Sequence, residues 1–145
     1  MLRRAKEFGA TKKELAHLWI VFCRGTLEQS CVLWHNTLTQ ENFEDLERTQ
    51  KTFTKLALGQ NYKNYEDALL KLNLHPLSSR RKNLCLNFAK SGLRNDTLRD
   101  LLQRKRKKHS MSTRKFQSHN IESSNTARFG RSSIPYMQTL LNHSN

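Results

Sequence analysis

Apolar side chains recur every three or four positions up to Leu102, and no alternating run is long enough to argue for a strand. Thr11 to Glu14 reads as a capping box ahead of a helix with Leu15, Leu18, Trp19 and Phe22 on its apolar face. Gly25 interrupts the pattern and predicts a break or kink before a second helix, Leu27–His35, carrying Leu27, Cys31 and Trp34. Thr39 caps a longer third helix with Phe43, Leu46, Phe53 and Leu56 to bury, and Gly59 stops it. Acids crowd the start of this helix and bases its end, an order that suits its dipole, and Glu44–Arg48 and Glu47–Lys51 are expected as ion pairs.

Asn64 opens a short helix around Ala68, Leu69 and Leu72 that ends before His75-Pro76. Ser78 or Ser79 then starts a fifth helix through about Arg94, burying Leu84, Cys85 and Phe88, and a short piece over 96–103 follows. The fold class is all-α, with about five to six helices over 1–103 as a helical domain. Residues 104–132 are basic and polar and read as a mostly disordered linker. Residues 133–145 recover an apolar pattern behind Ser133 and Pro135, predicting a short C-terminal helix.

Charge sharpens this division. The 145-residue chain has 26 Lys and Arg against 12 Asp and Glu, a net +14, and is 36 % hydrophobic. Residues 1–75 hold 11 basic and 9 acidic groups, whereas 76–115 hold 13 and 2. The middle of the chain is therefore expected to face a polyanion. Three widely spaced cysteines do not suggest a secreted disulfide framework. "MLRRAKEFG" runs straight into an amphipathic pattern without a signal-type apolar stretch, and the run "LAHLWIVFC" falls short of the ~20 residues that span a bilayer. The expected compartment is nuclear or cytoplasmic.

Chemistry is sparse. Cys31 and His35 lie one helical turn apart, a spacing compatible with core packing, metal ligation or a nucleophile and its base. A nucleophile also needs an orienting group and an oxyanion hole, and no glycine-rich turn supplies one. Close ligand pairs of the structural zinc type are missing, as are P-loop, GxGxxG and HExxH motifs. No cofactor, metal or small-molecule substrate is expected.

Binding features are stronger. Arg80, Asn83, Asn87, Lys90 and Arg94 recur at helical spacing and form one polar stripe suited to phosphates and sugar hydroxyls. The runs "RRK" (Arg80, Arg81, Lys82) and "RKRKK" (Arg104, Lys105, Arg106, Lys107, Lys108) add to it, the second also fitting nuclear import. The candidate interface is thus Arg80, Arg81, Lys82, Asn87, Lys90, Arg94 and Arg104 to Lys108.

The stretch "LEQSCVLWHNTLTQENFEDLERTQKTFTKLALG" resembles the segment after the polymerase palm in reverse transcriptases of non-LTR retrotransposons, especially the jockey-like group. Leu27, Glu28, Trp34, His35, Leu38, Thr39, Leu46, Glu47, Gln50 and Gly59 carry the likeness. "YEDALLKLNLHPLSSRRKNLCLNFAK" and the terminal "TARFGRSSIPYMQTLLN" extend it in the same order. Gly25 stands where the family often has proline, and Gln29 where it often has an aromatic residue. The resemblance implies an α-helical thumb or connection region that holds template and primer beside a palm. The metal-binding aspartates would then lie on that palm, and no [FY]-x-D-D motif is present here. The expected function is non-catalytic binding of RNA, DNA or an RNA–DNA hybrid, with a palm in cis or trans as the implied protein partner and no membrane. The alternative is a protein-interaction or structural remnant that packs against a palm.

Overall fold

The computed structural model describes residues 1–102, 121 and 126–143. In chain order its helices are α1 (Leu2–Glu7), α2 (Lys12–Leu18), a π-helical segment (Trp19–Arg24), α3 (Gly25–Glu28) and α4 (Cys31–Trp34). There follow α5 (Gln40–Leu58), α6 (Tyr65–Leu72), α7 (Leu77–Gly92), α8 (Asp96–Leu102), α9 (Ala127–Gly130) and α10 (Ser133–His143). The fold is all-α, with no strand among the described residues. No helix among them is long and apolar enough to cross a membrane.

Two compact units divide the chain: Met1–Ser30 with Leu38–Arg81, and Cys31–Thr37 with Lys82–Asn145. Most of the expected 104–132 linker lies outside the described residues.

In the first unit α2, α5 and α6 close around Leu15, Trp19, Phe53, Leu58, Ala68 and Leu72. Trp19 stacks on Phe53 at 4.6 Å and 7°, worth about 1 kcal/mol beyond the area buried. Local signals set most helix ends. The Thr11 hydroxyl accepts from the Glu14 N–H at 3.3 Å while the Glu14 carboxylate accepts from the Thr11 N–H at 2.7 Å. Donation from the Thr11 N–H, and then from its hydroxyl, holds the Glu14 carboxyl below its ordinary range. Thr39 and Asn64 cap α5 and α6 by side-chain oxygens that accept from the Asn42 and Asp67 N–H groups, without the reciprocal bond.

Four expectations fail here. Gly25 does not break the helix: it is helical at φ −55°, ψ −44°, and the run continues to Glu28. The reversal comes instead at Ser30, whose φ is +53°, so the expected Leu27–His35 helix is split. Phe22, expected in the core, is 56 % exposed, because the wider π turn rotates it away from the face of Trp19. The ion pairs on α5 also differ: Arg48 meets Asp45 at 2.7 Å, and Glu44 accepts from Gln40.

Glu47 instead reaches across the unit. It accepts from the Tyr65 hydroxyl at 2.9 Å and from the Ser78 N–H, and lies 4.0 Å from the Arg81 guanidinium. A carboxylate from α5 thus caps α7, in place of the local serine expected from the sequence. Burial, followed by the nearby Glu47 charge, raises the Tyr65 phenol above its ordinary value.

In the second unit α7, α8 and α10 bury Ala89, Leu102, Met137 and Leu141, with Val32 and Leu93 packed against them. A Cβ on Gly92 would lie 3.1 Å from Leu102, so glycine permits the close approach of α8. The expected C-terminal helix is present as α10 and is part of this core. The Asn36 amide donates to the Arg131 carbonyl at 2.9 Å, tying the turn after α4 to the segment before α10.

Candidate nucleic-acid interface

Helix α7 carries most of the described part of the predicted interface. Cys85, Ala89 and Gly92 form its buried face in the second unit, and Asn83, Asn87 and Lys90 lie exposed on the opposite side. That opposition follows from helical pitch, since positions three and four apart share a face. Lys82 is exposed nearby in the sequence. Arg94 is exposed too, but it stands in the turn after α7, where its N–H donates to the Ser91 carbonyl at 3.0 Å. The helix ends at Gly92, two residues before Arg94, so Arg94 does not continue the pitch. Phe88, expected in the core, is 42 % exposed, at the edge of the buried face.

The two arginines at the start of α7 behave differently. Arg81 is 0 % exposed, lies 5.4 Å from the Phe43 ring and faces Glu47, so it leaves the predicted interface. Burying a guanidinium requires a compensating charge, which Glu47 supplies. Arg80 makes a bidentate contact with Glu28 at 2.7 and 3.0 Å. The Glu28 carboxylate strengthens the Arg80 charge and raises its pKa, while Arg24 lies 3.9 Å from the same carboxylate. Arg80 therefore belongs first to the architecture of the first unit. The remaining described set is Lys82, Asn87, Lys90 and Arg94, with Asn83 of the same polar stripe beside it. Arg104, Lys105, Arg106, Lys107 and Lys108 lie outside the described residues.

Cys31 and His35 occupy the second unit. Cys31 is buried, and the Cys85 thiol approaches its carbonyl at 4.0 Å. His35 packs against Tyr136 with ring centroids 5.8 Å apart. A buried thiol is inert towards substrates, and this placement fits the packing alternative. Burial raises the Tyr136 phenol, with Cys85 adding to the effect. Among the described residues no group of three or more His, Cys, Asp and Glu is placed to hold a metal.

What pitch could not distinguish is an arginine that faces water from one that faces a carboxylate on another helix. The structural partners of Arg80 and Arg81 lie 52 and 34 positions earlier in the chain. No protein-family model, curated protein or solved structure matches this chain.

Proposed function

We propose that the chain is a non-catalytic nucleic-acid-binding module, akin to the post-palm region of a retrotransposon reverse transcriptase, that holds RNA, DNA or an RNA–DNA hybrid through α7 and the basic run after it. The observation that carries this reading is the exposed Asn83, Asn87 and Lys90 face, opposite a buried one, in a unit with 13 basic and 3 acidic residues. Amide and ammonium groups at helical pitch follow phosphates and sugar hydroxyls without reading sequence. Residues of the resemblance also meet in the first unit, Glu28 with Arg80 and Glu47 with Arg81.

Fluorescence anisotropy with single-stranded RNA, duplex DNA and an RNA–DNA hybrid at several salt concentrations tests the proposal. With about four to six phosphates neutralised, log K should fall against log salt with a slope of about −3 to −5. Charge reversal at Lys82, Lys90 and Arg94 together should weaken binding far more than reversal at Lys51. A flat salt response, or equal effects from both variants, refutes the assignment.

The second reading, a protein-interaction fragment, draws on exposed apolar side chains: Val21 and Phe22 in the first unit, Leu33 and Leu101 in the second. Self-association at micromolar concentration that resists salt and nuclease would favour it.

A further inference from the structure

The first unit carries a net +4 and is polarised. Glu41, Glu44 and Asp45 gather near the start of α5, whereas Lys6, Lys12 and Lys13 line an open, shallow groove beside its end. Ala10, Leu15, Ala57 and Leu58 contribute apolar wall, Gln60 and Asn61 supply amides, and no carboxylate-bearing residue is part of the lining.

Lys6 is held in place, while Lys12 and Lys13 are exposed beside it. Lys6 donates to the Leu56 carbonyl and lies so close over Gly59 that a Cβ there would be 3.2 Å from its nitrogen. Its charge is therefore held at the groove, and an ammonium has three donors, so one bond does not exhaust it. Lys12 and Lys13 occupy the first two positions of α2, directly after the Thr11 cap. Cations there oppose the helix dipole and cost stability, so helix formation does not account for them. The acid next in sequence, Glu14, is committed to the Thr11 N–H and hydroxyl at 2.7 and 2.8 Å.

From this geometry we infer a second site, separate from α7, that takes the phosphates of a nucleotide unit on Lys6, Lys12 and Lys13 with its base against the apolar wall. Two sources share this chemistry, a residue of a single strand and a free nucleotide, and the test separates them.

The test is lysine-acylation footprinting of the full chain by mass spectrometry, with oligoadenylate, ATP or inorganic triphosphate as probe. Lys12 and Lys13 should be acylated at least about threefold more slowly with oligoadenylate, with Lys51 and Lys71 unchanged, as direct phosphate contacts require. Equal protection by ATP identifies the free nucleotide as sufficient; protection by oligoadenylate alone identifies the strand. Protection absent with both, or matched by inorganic triphosphate, overturns the site. Lys82 and Lys90 report separately on α7, so failure of either site is visible without the other. The double variant Lys12→Glu, Lys13→Glu should lose about tenfold in affinity for the protecting probe, on the scale of lost phosphate contacts. It should fold at least as well as the parent because it removes charges that oppose the dipole. Unchanged affinity in that variant likewise overturns the inference.

Discussion

Glu47 shows how much one side chain can settle. It faces the buried Arg81 guanidinium, accepts from Tyr65 and caps the start of α7 at Ser78. Replacing it by glutamine keeps the shape but leaves a 0 % exposed guanidinium facing a neutral amide. Breaking a buried charge pair from one side is strongly destabilising, so Glu47→Gln should reduce unfolding free energy by about 3 kcal/mol. The exposed Arg48–Asp45 pair is the control, and Arg48→Gln should cost about 0.5 kcal/mol or less. Urea titrations of the three proteins check both values; similar losses in the two variants would deny Glu47 its central position. None of this was legible in the sequence, where Glu47 reads as a surface acid paired with Lys51. Its partners are distant along the chain, and charge patterning sees only neighbours one turn away.

At the scale of elements, legibility divides by the range of the forces involved. Thr11, Thr39, Asn64 and Gly59 mark real helix ends because each acts within a few residues of itself. Gly25 misleads because glycine only lowers helix propensity, and the packing around α2 and α3 overrides that small preference. The two glycines should consequently answer alanine with opposite signs. Gly25 has helical dihedrals and nothing within 4 Å of an added Cβ, so Gly25→Ala should stabilise by about 0.5–1 kcal/mol. Gly59 ends α5 at φ +53°, ψ −123°, where Gly59→Ala should cost about 1–3 kcal/mol and crowd Lys6. Thermal denaturation of the two variants measures both; a destabilised Gly25→Ala protein would place the helix break back at Gly25. The polar face of α7 was legible for the same short-range reason, since pitch alone puts Asn83, Asn87 and Lys90 together. The fate of Arg80 and Arg81 was not, because carboxylates on other elements claim them.

Across the whole molecule the charges divide unevenly: 13 basic and 9 acidic residues in the first unit, 13 and 3 in the second. The first sum matches a module that neutralises itself through pairs such as Glu28–Arg80 and Lys71–Asp67. The second leaves a net +10 that folding must tolerate through self-repulsion. A polyanion that binds the folded chain relieves that repulsion and adds stability by mass action, about 2.7 kcal/mol at a hundredfold excess over Kd. The thermal midpoint of the full chain should therefore rise by a few degrees with an RNA–DNA hybrid in low salt, in keeping with the usual relation between free energy and midpoint. Salt should act in two directions. Without the hybrid it should raise the midpoint by screening like charges, and with the hybrid it should erase the gain by weakening binding. Charge reversal at Lys82, Lys90 and Arg94 should raise the unliganded midpoint or leave it unchanged while shrinking the hybrid-dependent gain. An equal gain in parent and variant would mean that α7 is not the surface the nucleic acid uses.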